Sequence, residues 1–135
     1  MKFKQVTLFG ATGLIGSHLL EFLLKDSDIH LINVVGRTPF HLEHDKINNI
    51  VIDFEDVHSI SDSIDGSEVV FVSIGTTMSK VNRDKLKYKS IDFDIIFNIA
   101  NACKKKNIKQ LLYVSSLGAN SNSSNFYLRL KGEID

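Results

Sequence analysis

Seven residues near the N-terminus, Gly10-Ala11-Thr12-Gly13-Leu14-Ile15-Gly16, constrain the fold more than any other stretch, because they place three glycines between an apolar run and an amphipathic one. Lys4 to Phe9 reads as a strand, and Ile15, Leu19, Phe22 and Leu23 recur at helical spacing over residues 14 to 25, which predicts one apolar helix face. A tight strand-to-helix turn calls for glycine. Gly10 permits the sharp turn, Gly13 lets a pyrophosphate approach the backbone, and Gly16 lets the helix pack closely on a sheet, with the first-turn N–H groups left for an anion. The spacing is GxxGxxG, not GxGxxG, so the flanking strand and helix carry the weight of the reading. They point to a dinucleotide-phosphate site made by Gly10, Ala11, Thr12, Gly13, Leu14, Ile15 and Gly16; a purely structural turn is the alternative.

Four further apolar runs follow. Leu31 to Val35, Asn49 to Ile52, Ser67 to Ile74 and Gln110 to Val114 read as strands two to five. Such continuous runs suit strands buried on both faces, as in a parallel sheet joined by right-handed crossovers. Ile91, Ile95, Ile99 and Ala102, widened by Ile96, Ala100 and Cys103, predict a long buried helix over about 86 to 106. The link between strands three and four is a short polar helix or turn at Ser59 to Asp65, stopped by Asp65-Gly66. The expected architecture is an α/β Rossmann-type doubly wound sheet with strand order 3-2-1-4-5, residues 1–135 forming a single NAD(P)-binding domain.

Length and composition agree with that class. The chain has 135 residues, is 43% hydrophobic and 24% charged, and carries a formal net charge of zero. No global field draws it to nucleic acid or to an anionic membrane, and no stretch approaches the ~20 apolar residues of a membrane span. Lys104-Lys105-Lys106 closes a helix, where cations complement the dipole. His30, His41, His44 and His58 lack metal-ligand spacing, and His18 reads as exposed, so no metal site is expected. Cys103, the single cysteine, has no partner and suits core packing in a reducing compartment, which predicts a cytoplasmic location.

In a doubly wound sheet ligands bind beyond the carboxyl ends of the strands. Those ends read Gly10 to Gly13, then Gly36-Arg37-Thr38, Asp53-Phe54, Gly75-Thr76-Thr77 and Ser115-Ser116, each supplying small residues for close approach or a polar group. The NAD fingerprint wants an acid about 20 positions past the glycines. Gly36 stands there instead, followed by Arg37, whose guanidinium suits a ribose 2′-phosphate through charge-assisted hydrogen bonds. NADP(H) is therefore favoured over NAD(H), a solvated loop arginine being the alternative. Asp53 could accept from the adenine amino group with Phe54 against the ring, or serve as a turn or cap aspartate. Asp92 and Asn98 suit either the cofactor side of the long helix or simple capping.

Late in the chain Tyr127 and Lys131 stand four residues apart, on one face of a helix, with Ser116 eleven residues before the tyrosine. An ammonium beside a phenol favours the phenolate, moving a pKa of ~10 toward working pH for proton exchange with a carbonyl or alcohol. A glycine-rich loop, a serine and Tyr-x-x-x-Lys together resemble the short-chain dehydrogenase/reductases. Val34-Val35-Gly36-Arg37, Ile74-Gly75-Thr76-Thr77 and Val114-Ser115-Ser116-Leu117-Gly118-Ala119, leading to Tyr127 and Lys131-Gly132-Glu133, are similar to the atypical NAD(P)-binding members related to the Tat-interacting oxidoreductase.

The resemblance implies that Tyr127 gives a proton to the substrate carbonyl, that Lys131 lowers its pKa and holds the nicotinamide ribose, and that Ser116, or Ser115, orients the substrate oxygen. Gly75 and Thr76 would lie against the cofactor. The implied reaction is NADP(H)-dependent hydride transfer on a small carbonyl or alcohol; an NADP(H)-responsive binding protein is the alternative. The family's fold runs on past Tyr127 and Lys131, so the substrate-covering C-terminal part is expected to be missing here and this 135-residue form to be inactive alone. Phe126, Leu130 and Ile134 would then lack cover, a route to homo-oligomers through the C-terminal helix.

Overall fold

The structure is a computed structural model that describes residues 4–74 and 93–114. Five parallel strands form one sheet in the order β3-β2-β1-β4-β5: β1 Lys4–Phe9, β2 Ile29–Gly36, β3 Ile47–Val51, β4 Val69–Val72 and β5 Gln110–Tyr113. Helix α1, Leu14–Lys25, covers one face. Helices α2, Val57–Ser63, and α3, Ile95–Lys105, cover the other. The class, the strand order and the existence of each element over these residues are those the apolar runs predict.

Alternation along the central strand divides the core in two. Val6 and Leu8 meet Leu20, Leu23, Ile32 and Val34 under α1, while Phe9 meets Val35, Val70, Val72 and the α3 residues Ile95, Ile96 and Ile99 on the opposite side. Cys103 lies in this second cluster, and burial pushes its thiol up to about 11, so it packs as a small apolar group. β1 and β2 are buried along most of their length. β3 and β5 are edge strands with no fully buried residue, exposed at Asn48, Asn49 and Val51 and at alternate positions respectively, which corrects the expectation that every strand is covered on both faces.

Helix α1 departs from its expected orientation. Its buried residues are Gly16, Leu20 and Leu23, whereas Ile15 is 54% exposed and Phe22 73% exposed. The buried face is rotated about one residue from the one that Ile15 and Phe22 would define, and the cause is Gly16. A Cβ there would overlap the Gly10 carbonyl oxygen and come within 2.6 Å of the Ser73 hydroxyl oxygen. The turn accepts the helix only with its glycine side inward, and Leu20 and Leu23 follow at four and seven residues.

The other boundaries shift for local reasons. The Asp56 side chain accepts from the His58 N–H at 3.0 Å and from the Ser59 hydroxyl at 2.9 Å. This cap starts α2 two residues ahead of the predicted Ser59, and the Ser59 hydroxyl holds the Asp56 carboxyl below its usual range. At the far end of α1, Lys46 donates to the Leu24 and Asp26 carbonyls, both at 3.0 Å, so a cation stands where the dipole favours one. Beyond the Lys106 cap of helix α3, Asn107 turns the chain out with φ 55°, and the Ile108 N–H reaches the Cys103 carbonyl.

The rotation of α1 predicts a contrast between two substitutions. Gly16→Ala forces backbone apart and lowers stability by about 3 kcal/mol. Phe22→Ala, on the exposed side, costs less than about 1 kcal/mol. Denaturant unfolding of both variants checks this; similar losses would mean that Phe22 and not Gly16 faces the sheet.

Candidate dinucleotide site

The carboxyl ends of β1, β2 and β4 open on a cleft of about 410 Å³, lined by Gly10 to Gly13, Val34 to Thr38, Phe40, Asn49, Phe54, Ser73, Ile74 and Ile95. Its floor is the first glycine turn. Gly10 has φ +93°, and a Cβ there would sit 2.8 Å from the Ser73 carbonyl, so both conformation and space require glycine. The Ser73 hydroxyl donates to the turn, 3.0 Å from the Gly10 oxygen and 3.2 Å from the Phe9 oxygen, and the Ser73 N–H bonds the Phe9 carbonyl at 2.9 Å. The end of β4 thus locks the turn after β1.

Gly13 is different. It caps α1 with φ −76° and ψ 171°, a conformation any residue adopts, and a Cβ would meet nothing nearer than the Gly10 oxygen at 3.7 Å. Its neighbours in the protein do not require glycine. Helix α1 has no side-chain cap and no acid in its first turn, so its opening N–H groups and positive dipole end are left for an external anion.

Other predicted residues divide by position. Ala11 and Thr12 line the cleft with Gly10 and Gly13. Gly16 lies beneath the turn as a packing residue, and Leu14 and Ile15, 77% and 54% exposed, do not line the cleft. Gly36 and Arg37 line the cleft, Arg37 with its guanidinium carbon 5.8 Å from the centre of the Phe54 ring. Among the described residues Arg37 forms no ion pair. Phe54 is only 8% exposed and packs edge-on against Phe9 at 6.0 Å, which makes it chiefly a core residue.

Asp53 stands outside the main cleft, in an adjoining cavity of about 520 Å³ shared with Arg37, Glu55, Asp94 and Asn98. One of its oxygens accepts from the Glu55 N–H at 2.9 Å, so Asp53 holds the turn that follows it. Ser73 and Asn49 were not legible as site residues: Ser73 reads as strand interior, and Asn49 reads as part of a strand when its use depends on a loop folding back. Gly75, Thr76, Ser115, Ser116, Tyr127 and Lys131 lie outside the described residues, as do Asp92 and the first part of the predicted long helix. Among the described residues there is no cluster of potential metal ligands and no helix long and apolar enough to cross a membrane.

Comparison with known proteins agrees with this geometry. Protein HTATIP2 of Rattus norvegicus is 31% identical over 138 residues, covering 100% of this chain and 56% of that protein. Protein FMP52, mitochondrial, of Debaryomyces hansenii is 31% identical over 132 residues, covering 95% of this chain and 57% of that protein. The chain therefore spans a little over half the length of these relatives. In structure it superimposes on a nucleoside-diphosphate-sugar epimerase from Agrobacterium tumefaciens with TM-score 0.82 at 14% identity, over 99% of this chain and 47% of the other. A short-chain dehydrogenase/reductase from Veillonella parvula gives TM-score 0.68 at 23% identity, over 97% and 62%. These neighbours share the fold, and the rat relative supports the resemblance to the atypical short-chain dehydrogenase/reductases.

The comparison corrects one expectation. The FMP52 relatives from Debaryomyces hansenii, Meyerozyma guilliermondii and Candida albicans are mitochondrial by name, which overturns the cytoplasmic location inferred from the lone cysteine. A buried unpaired thiol needs only protection from oxidation, a condition that does not choose among compartments. Residues 10–133 match the NAD(P)H-binding family, a span that starts at the first glycine of the turn, and the chain belongs to that family.

Proposed function

We propose that this chain is the cofactor-binding part of an NADP(H)-dependent oxidoreductase acting on a small carbonyl or alcohol. The observation that carries the reading is Gly13: it has an unstrained backbone, open space where a Cβ would go, and a free helix N-terminus behind it. A side chain at that position would occupy the room a pyrophosphate needs. Gly10, Ala11, Thr12 and Gly13 would cradle the pyrophosphate, with the backbone of Leu14, Ile15 and Gly16 beneath it. Arg37 would take the ribose 2′-phosphate, and Asp53 the adenine amino group. Gly75 and Thr76 would flank the nicotinamide half.

When bound, the dinucleotide would exchange a hydride with the substrate carbon. The protein's part is proton transfer and orientation: the Tyr127 phenol gives the proton, the Lys131 ammonium favours the phenolate, and Ser116, or Ser115, hydrogen-bonds the substrate oxygen. Support for these roles is the Tyr-x-x-x-Lys spacing and the serine at the end of the fifth strand.

Three outcomes are expected. Gly13→Ala leaves stability of the free protein within about 1 kcal/mol, since the lost cap preference and the reduced unfolded-state entropy nearly offset. Its dinucleotide affinity falls about ten-fold or more, and undiminished binding by calorimetry would remove the pyrophosphate from this turn. The unmutated protein binds NADP(H) more tightly than NAD(H), and Arg37→Glu reverses the order, a charged hydrogen bond being worth ~1.5 to 3 kcal/mol; equal affinities would refute the 2′-phosphate assignment. In a form that turns over, followed by NADPH absorbance against a panel of carbonyl compounds, Tyr127→Phe abolishes the rate and leaves cofactor affinity within about two-fold, as expected for loss of a proton donor alone. A near-normal kcat in that variant would exclude Tyr127 as the acid.

A further inference from the structure

Asn49 stands on the edge strand β3, nine residues beyond Phe40, and bonds that residue's backbone in both directions. Its Oδ1 accepts from the Phe40 N–H at 2.9 Å, and its Nδ2 donates to the Phe40 carbonyl at 2.8 Å. The pair does for the returning loop what a strand ladder does for a neighbouring strand. Upstream, Gly36 is held in the sheet: it is in register with Val51, and its carbonyl accepts from the Ile52 N–H at 3.0 Å. Arg37, Thr38 and Pro39 are thus the three residues between two anchors, and Pro39 removes a further degree of freedom by fixing its own φ.

The second anchor is reinforced by packing, since Phe40 is half-buried against the cluster under α1. Among the described residues the Asn49 amide alone hydrogen-bonds the Phe40 backbone. The loop it closes lines the cleft over Gly36, Arg37, Thr38 and Phe40. A long arginine side chain carries large rotamer freedom, and a mobile backbone beneath it would add to what a ligand must order.

We propose that Asn49 is a positioning residue that sets the preference for a 2′-phosphorylated dinucleotide by clamping the Arg37 loop through the Phe40 backbone. The proposal rests on the assignment of Arg37 to the 2′-phosphate. Both heteroatoms of the amide bond Phe40, which links Asn49 to the backbone of the Arg37 loop; a direct contact from Asn49, which itself lines the cleft, would instead add to the effect of Arg37. An arginine at the right sequence position is then insufficient for discrimination; the return contact from β3 is part of the recognition.

The test is a double-mutant cycle on the full chain, with Kd for NADP+ and NAD+ measured by calorimetry in the unmutated protein, Asn49→Ala, Arg37→Ala and the double variant. Asn49→Asp serves as a second probe, because it keeps the acceptor and sets a carboxylate oxygen against the Phe40 carbonyl. Both Asn49 variants are expected to weaken NADP+ about five-fold or more, to leave NAD+ within about two-fold, and to melt close to the unmutated protein. In the Arg37→Ala background Asn49→Ala should leave the NADP+ to NAD+ ratio unchanged. A retained preference in both Asn49 variants overturns the clamp alone, as does an equal loss for the two cofactors or an additive loss in the double variant. No preference in the unmutated protein overturns the assignment of Arg37 itself, and the clamp with it.

Discussion

The contact between Gly16 and the Gly10 carbonyl is the constraint from which the rest of the site follows. Two backbone segments touch where any side chain would separate them, and the hydroxyl of Ser73 bonds the same carbonyl from β4. Three elements are fixed by one approach: the end of β1, the start of α1 and the end of β4. The helix rotation that results sends Leu20 and Leu23 into the core and leaves the first-turn N–H groups at the rim of the cleft. Packing and binding geometry are therefore a single solution here, and a change that relaxed the contact would move both.

A second constraint runs across the sheet as a buried polar row. Thr7 and Ser67 share a hydrogen bond of 2.6 Å, Thr7 also donates to the Ser63 carbonyl at 3.3 Å, and Asn33 reaches Thr7 at 3.4 Å. Asn48 donates to Asn33 at 3.0 Å. A polar group left unpaired where Thr7, Asn33 and Ser67 are buried costs about 1–3 kcal/mol, so these three depend on their neighbours, while Asn48 joins the row from the exposed edge strand. The row ties β3 to β2, β2 to β1 and β1 to the segment entering β4. It fixes the lateral register of the strands whose ends form the cleft, where an apolar row of equal size would tolerate sliding.

Reading residues in order recovered what depends on short spans. Lys4 to Phe9, the three glycines and the apolar run at Val69 announce a strand, a turn and a strand because each needs little beyond its own composition. The face of α1 was misjudged because apolar residues run around much of that helix, from Leu14 and Ile15 through Leu19, Leu20, Phe22, Leu23 and Leu24, and periodicity alone selects no single stripe. β3 begins at Ile47, two residues ahead of the expected Asn49, because Asn48 is a poor strand former whose side chain bonds Asn33, a partner 15 residues away. Ser73 was passed over for a similar reason, its acceptors lying 63 and 64 residues back. What eluded the sequence was polar side chains serving distant backbone.

The placement of charge around Arg37 completes the physical picture. The chain is neutral overall, so attraction of an anionic ligand has to be local. The positive end of α1 stands at one side of the cleft and the guanidinium of Arg37 at another, with Asp53, Glu55 and Asp94 confined to the adjoining cavity. Phosphate groups are thereby favoured on the glycine side and disfavoured among the acids, which suit a ligand's hydrogen-bond donors instead. The ring of Phe54 under the guanidinium keeps the cation at the boundary between the two regions, and among the described residues no carboxylate pairs with it. An ion pair at that point would leave the loop as well ordered and the cleft as deep, yet it would cancel the field that separates a phosphate-bearing end from an amine-bearing one. Among the described residues that cation has no carboxylate partner, so the groove keeps a cationic side at Arg37 and an acidic side at Asp53, Glu55 and Asp94.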